Sequence, residues 1–575
     1  MNPFDETIDK NNLFNISTGK AASEDVGDFL LNVKATGEQQ KLNFITECST
    51  IPGRFDKAIK RNKILNFTSE CTSRVVMNKD QNKRVLLKME RDIFGRLLAI
   101  SVNKRINLEH CLTFPLAPLP PALFSCAGEM FKTAKSTLAK ALKSGTEVVE
   151  PTNISVEIID GFYFLHLIGS SMPQTFEKVA ESILIQLCST TATEIHLVFD
   201  RYISPSIKDS ERHSRKEFDT PYKISGPQQT RPKDFLRSLK NYCFKTALVH
   251  FLAEYWENQN FVTIVGNKKI FLTVDHQCFS YEVQQNSIKK SEEVDYLCHH
   301  EEADTRMIFH AYKAPPESKI LIKASDTDVL VILLGNIHKI QHSEIWLANS
   351  ATKNKNNQHL ECINCTELAL KLGSKLCRSL PAFHAFTGCD YTAAFYNKGK
   401  VKPYKLFSKN EKYQTVFSSL TDEADLFINE KMDTVQEFTV NMYGIKNCNR
   451  VNEARYRIFV KSYSSKEDSE KFFKKIKSFD SNTIPPCWIS LQQKILRTIF
   501  VNSMWLHATD PECVKLQPET CGWFVDDYLK PTGFIGDQTP LTVQDIAEMT
   551  EKENSDDECS ELEDASFSSH ESDFE

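Results

Sequence analysis

Residues 320–334 read ILIKASDTDVLVILL, two apolar runs with Asp326 and Asp328 between them. Runs of this kind demand burial, yet an ionised carboxylate taken out of water costs several kcal/mol or more unless a cation or hydrogen-bond donors meet it. The chain must therefore fold so that something positive reaches this pair, and a metal ion is one candidate. Two more apolar stretches share the form: SVEIIDGFYFLHLIG (155–169) carries Asp160, and TEIHLVFDRY (193–202) carries Asp200. Helix-like segments separate the three. That alternation predicts an α/β fold, a twisted and mostly parallel sheet flanked by helices, in which ligands bind beyond the carboxyl ends of the strands. Asp160, Asp200, Asp326 and Asp328 are expected to converge on that edge.

The 575 residues are 41% hydrophobic and 25% charged, a globular balance in a chain long enough for two or more cores. No run of about 18 apolar residues occurs, and the N-terminal MNPFDETIDKNN lacks a signal pattern. A nuclear or cytoplasmic protein is expected, neither secreted nor in a membrane. The 17 cysteines, scattered from Cys48 to Cys559, are expected to be reduced and mostly core residues. Cys362 and Cys365, with His359 nearby, have zinc-like spacing, but no second pair follows and buried thiols are the preferred reading. The formal charge of −6 originates in the tail ENSDDECSELEDASFSSHESDFE. Too polar to build a core, that tail is expected to be disordered, open to phosphorylation and suited to a basic protein partner.

Five segments are expected. Residues 1–113 form a mainly helical region, which includes DVGDFLLNVKATG and DIFGRLLAISVNKRI. Residues 114–149 hold FPLAPLPPALF, a linker or a wall, and then a lysine-rich helix, EMFKTAKSTLAKALKSG. The lysines of that helix read as a solvated face, with nucleic-acid contact as the alternative. Residues 150–405 form the sheet domain. Within it RPKDFLRSLKNYCFKTALVHFLAEYWEN (231–258) reads as an amphipathic helix packing through Phe235, Leu239, Phe244, Leu248 and Leu252. Residues 406–545 mix helix and loop around a satellite core anchored by Trp488, Trp505 and Trp523, and 546–575 are the acidic tail.

Three further acids belong with the first four. CHHEEADTRMIFHAY (298–312) reads as a helix start with Met307, Ile308 and Ala311 facing inward and Glu302 and Asp304 in or before the first turn. LPAFHAFTGCDYTAAF (380–395) brings Asp390 after a glycine turn. Singly, each acid has an ordinary explanation as a helix cap. Together, seven carboxylates beside the segments of one sheet would repel one another unless cations sit among them. Mg²⁺ or Mn²⁺ suits oxygen-only ligands, and two such ions about 4 Å apart can activate a water and steady the leaving oxygen of a phosphodiester.

The ordered set IIDG, VFD followed by Pro205, Lys208, Arg212 and Arg215, EADT, SDTD and TGCDY resembles the PIN-like nucleases of the flap-endonuclease type. The likeness spans about residues 150 to 405. It implies a PIN-like domain whose metal-binding and catalytic acids are Asp160, Asp200, Glu302, Asp304, Asp326, Asp328 and Asp390. It also implies nucleic acid as the partner, DNA ahead of RNA, with a basic helix after the second aspartate. HEEADTR, SDTDVLV and HAFTGCD further resemble a group of uncharacterised animal proteins associated with mobile elements. The chain departs from the nuclease pattern at Arg201, where the family has glycine, and at AAFYNKGKVKPYKLF, where a glycine-rich helical hairpin is expected.

Lys208, Arg212, Arg215 and Lys216 form a candidate phosphate-steering patch, with Lys398 and Lys400 as further phosphate contacts. Arg306 is placed either to pair with the acids or to touch phosphate. His299, His300 and His384 read as hydrogen-bonded neighbours of carboxylates rather than ligands. The expected activity is metal-dependent phosphodiester hydrolysis. Alternatives are a nuclease-like fold that binds without cutting and, lower, a transposase-like strand-transfer enzyme, which needs about three acids and leaves the others surplus.

Overall fold

The computed structural model describes residues 13, 22, 24–55, 57, 74–78, 83–87, 107–125, 128–144, 149–203, 206–208, 220–340, 344–350, 360–463, 481–525 and 529–540. The acidic tail, Arg212, Arg215, Lys216, His359 and the segment DIFGRLLAISVNKRI lie outside the described residues. The chain divides into two compact units, Met1–Ala99 with Ser465–Phe479, and Ile100–Ser464 with Asp480–Glu575. Helices Glu24–Leu31 and Val33–Thr50 belong to the first, as does an antiparallel hairpin of Arg74–Asn78 and Lys83–Leu87. The hairpin adds two short strands to this helical region, and its segments RVVMN and KRVLL contain Val, which is enriched in strands.

An eight-stranded sheet organises the second unit. Its strands are β1 (Val156–Asp160), β2 (Glu194–Val198), β3 (Lys269–Val274), β4 (Gln277–Gln284), β5 (Ser287–Glu292), β6 (Lys319–Lys323), β7 (Glu344–Ser350) and β8 (Leu360–Asn364), in the order β8-β7-β6-β1-β2-β3-β4-β5. β7-β6-β1-β2-β3 are parallel, with Ile158 paired to His196 on one side and to Ile322 on the other. β8, β4 and β5 add antiparallel edges. The fold is α/β, as expected, with a mixed sheet.

Helices cover both faces. Ile158, Val198, Ile320 and Ile322 face one core. With them pack α1 (Ser136–Leu142), α5 (Ala303–Lys313), α6 (Thr327–Asn336), α7 (Ser374–Thr387) and α8 (Trp488–Leu506). Ile159, Ile195, Leu197, Ile270 and Leu272 face the other, beneath α2 (Gly161–Ile168), α3 (Phe176–Cys188) and α4 (Tyr242–Tyr255). Neighbouring residues alternate between cores, as the period of two in a strand requires. Each fully buried Leu or Ile contributes about 1.5–3 kcal/mol relative to exposure. Phe235, Leu239, Phe244, Leu248 and Leu252 are all buried in the second core, although Asn241 restarts the helix by capping α4.

Two boundaries differ from expectation. Residue 405 is no domain edge, because α8 inserts its buried face into the same core as the sheet, and Asn336 donates to the Trp505 carbonyl at 2.8 Å. Trp505 and Trp523 accordingly belong to the main core rather than to a satellite. Of its two expected forms the proline-rich stretch takes the wall: Leu116, Ala122, Leu123 and Phe124 are buried, and the buried Arg455 guanidinium donates to the carbonyls of Leu112 and Phe114 at 2.8 and 3.2 Å. Finally, the lysine-rich helix starts only at Ser136. The residues before it form a strap in which Phe131 N–H donates to Leu123 O and Ala394 N–H donates to Phe131 O.

A candidate metal centre at the carboxyl edge of the sheet

β1 and β6 are neighbours whose connections leave in opposite directions across the sheet, which makes their carboxyl ends a topological switch point. Asp160 closes β1 and caps α2, accepting from Tyr163 N–H at 3.0 Å. Gly161 follows because the Phe199 ring lies where a β-carbon would stand, 2.3 Å away. Asp200, two residues past β2, accepts from Ala303 N–H at 2.7 Å and so ties the second strand end to the start of α5. Glu302 is the N-cap residue of α5 and Asp304 lies in its first turn. Asp326 caps α6, accepting from Asp328 N–H at 3.0 Å, and Asp328 lies in the first turn of that helix. The second apolar run of the opening motif is thus a helix buried along its whole length, not a strand.

Asp304, Asp326 and Asp328 each present a carboxylate oxygen within 4.8 Å of the other two. Asp390 is joined to this triad by Lys135, which sequence reasoning assigned to a solvated face. The Lys135 ammonium lies 2.8 Å from Asp390 Oδ1, 2.9 Å from Asp328 Oδ2 and 3.3 Å from Asp326 Oδ2. A second buried ammonium, Lys208, pairs with Glu302 and lies 3.5 Å from Asp390 Oδ2 and 4.4 Å above the Tyr391 ring. Tyr391 O–H donates to Glu302 at 2.6 Å. His384 completes the inner side, its Nε2 2.8 Å from Asp328 Oδ1.

The electrostatics divide the cluster. Burial pushes the Asp160 carboxyl up to about 7, with Asp200 repelling its ionised form. Asp304 is raised well above the usual carboxylate range by burial and then by Asp326, Glu302, Asp328 and Asp160. Asp326 and Glu302 are raised too, burial leading in both. Asp328 and Asp390 go the other way: burial opposes ionisation, yet Lys135 and His384 hold Asp328 well below its ordinary value, and Lys208 and Lys135 bring Asp390 to about 2. His384 itself is lowered to about 4, burial being the main cause. It is therefore a neutral imidazole donating from Nε2 to Asp328.

Oxygen-only donors, closely spaced, with Asp304 and Asp326 raised first by burial and then by neighbouring carboxylates, fit a hard divalent cation. Those residues could hold one at the Asp304–Asp326–Asp328 triad.

The expected phosphate contacts fare differently. Lys208 is buried within the acidic cluster and does not extend from it as a basic patch. Arg306 is 1% exposed and donates to the Asp275 and Gln277 carbonyls at 2.7 and 2.8 Å, fastening α5 to the β3–β4 turn; it meets neither the acids nor solvent. Lys400 is fully buried, donating to His384 O and Thr387 Oγ1 at 2.9 and 2.8 Å, and burial lowers it to about 7. Lys398 lies 4.3 Å over the Tyr443 ring. Arg201 N–H donates to Glu301 O at 2.7 Å, holding the VFDR turn against the EEAD loop without glycine. His300 is turned away, its Nε2 2.7 Å from Asp510 O.

Sequence reasoning missed Lys135 and the Tyr391 hydroxyl. The only signal for the lysine was indirect, in that seven clustered acids require internal cations. No helix among the described residues is long and apolar enough to cross a membrane. Compared with known proteins, the chain matches no protein-family model and no curated protein.

Proposed function

We propose that the chain is a metal-dependent nuclease that hydrolyses phosphodiester bonds of DNA or structured RNA at this acidic centre. The observation that carries the reading is the convergence of acids from separate segments on the carboxyl edge of the sheet, with Asp304, Asp326 and Asp328 spaced to share an ion. The motif order IIDG, VFD, EADT, SDTD, TGCDY, similar to flap-type nucleases, supports it. A bound Mg²⁺ or Mn²⁺ would supply a Lewis acid for the phosphoryl oxygen and a water of lowered pKa. Asp160, which burial raises to about 7 in the metal-free fold, would lose its proton when an ion binds and would then be available to accept one from such a water. His384, fixed on Asp328, orients the ligand carboxylate from behind.

Asp326→Asn is expected to lower Mn²⁺-dependent cleavage of DNA by at least a hundredfold while the circular dichroism spectrum stays native. Unchanged cleavage would exclude this site. A second reading, a PIN-like protein that binds nucleic acid without cutting it, is favoured by Lys135 and Lys208, which already supply part of the positive charge that the acids need. Under that reading the purified, folded chain binds no Mn²⁺ by calorimetry at about pH 7.5.

A further inference from the structure

Four carboxylates of the centre, Glu302, Asp326, Asp328 and Asp390, face an ammonium, and three, Asp160, Asp200 and Asp304, face none among the described residues. The first group is charge-compensated by the chain itself. We propose that Lys135 is the resident cation of the Asp326–Asp328–Asp390 side, filling one of the two cation positions of the centre and leaving one exchangeable position at Asp304, which shares the Asp326 and Asp328 carboxylates with the ammonium. The inference rests on the metal-centre reading above.

Donor count and geometry support it. An ammonium has three N–H donors, and Lys135 faces three carboxylates, at 2.8 Å for Asp390, 2.9 Å for Asp328 and 3.3 Å for Asp326. A divalent ion bound to the same oxygens at about 2.0–2.2 Å would occupy the space of the ammonium, and the two like charges would repel. The seat is also built rather than incidental. Lys135 is 17% exposed at its side chain. The helix it leads buries Leu138, Ala139 and Leu142 in the core. The strap before it is hydrogen-bonded to the segment that follows Asp390, through Ala394 N–H to Phe131 O and Tyr396 N–H to Ala122 O. Lysine and acid are thus held on two segments fastened to each other, and the ammonium is presented to the cluster without a flexible search.

A centre of this kind works with one metal ion and one fixed ammonium. The ammonium supplies positive charge beside the reacting phosphate, but it cannot lower the pKa of a water as a metal does. Replacing Lys135 with a neutral residue should open the second position. The test is the Mn²⁺ stoichiometry of the full-length, chelator-treated chain, measured by titration calorimetry and by electron paramagnetic resonance of free Mn²⁺. The wild-type chain is expected to bind one ion, Lys135→Gln two, and Lys135→Arg one.

Two ions on the wild-type chain overturn the proposal without recourse to any variant, as does a single ion on Lys135→Gln; either result leaves the nuclease reading standing. No ion on any of the three proteins overturns both. Should Lys135→Gln fold poorly without metal, its melting temperature supplies the second measurement. Mn²⁺ is then expected to raise it by more than it raises the wild-type value, and an equal rise overturns the proposal.

Discussion

At the scale of single residues the centre trades stability for charge. Asp304 lies against four other carboxylates that disfavour its ionised form. Asp304→Asn removes that repulsion while keeping the shape of the side chain. It is expected to stabilise the metal-free protein at about pH 8 by about 1–2 kcal/mol, within the usual range of single-residue effects, and to abolish the Mn²⁺-dependent rise in melting temperature. Urea unfolding with and without Mn²⁺ checks both, and a variant destabilised in the absence of metal would contradict the charge distribution described. The acids were legible in the sequence because each stands where an apolar segment ends, so burial and charge conflict within a few residues. Lys135 was not. It stands in a segment whose lysines read as a solvated helix face, and its partners Asp326 and Asp328 lie 191 and 193 residues away, a pairing for which local sequence has no signal.

At the scale of elements, the loop that brings Asp390 into the cluster depends on Gly388, which ends α7 at φ +110° with the Ala394 backbone 2.7 Å from where a β-carbon would be. Gly388→Ala combines a left-handed strain with a backbone clash. It is expected to cost about 1–3 kcal/mol, whereas Gly399→Ala, with open space around it, should be near neutral; chemical denaturation of the pair distinguishes a conformational requirement from a general intolerance in this region. The parallel strands β1, β2 and β6 were readable as apolar runs. The β3–β4–β5 meander was not, for a reason visible in its turns. Both are two-residue hairpins that use positive φ at Asp275, Gln285 and Asn286. Asp-His and Gln-Asn fill those turns, without the glycine that usually marks such a hairpin. The short strap before α1 reads as helix because Lys132, Ala134 and Lys135 carry good helix propensity, and tertiary pairing to residues 394–396 overrides it.

At the scale of the whole molecule, two sets of buried groups oppose each other as pH changes. His300 and His384 are lowered to about 4 by burial, and a histidine kept neutral in the fold stabilises it above the unfolded value of about 6.5, a contribution lost as pH falls. Asp160, raised to about 7, does the reverse: its contribution is present below the unfolded value of about 3.9 and is lost as pH rises through about 7. The two trends overlap between about pH 4 and 6.5 and partly cancel, so the metal-free melting temperature is a poor reporter of the centre. The difference between Mn²⁺-loaded and chelated protein is a better one, because His300, bonded to the Asp510 carbonyl rather than to a carboxylate of the cluster, contributes to both states, whereas Asp160 and Asp304 do not. Metal binding must release the protons held by Asp160 and Asp304, so Mn²⁺-induced stabilisation is expected to grow as pH rises through about 7. Asp160→Asn should shift that rise without removing it, since Asp304 remains. Scanning calorimetry from about pH 5.5 to 8.5, with and without Mn²⁺, measures the difference directly. A metal increment that is flat with pH would mean that the ion binds elsewhere than among these raised carboxylates.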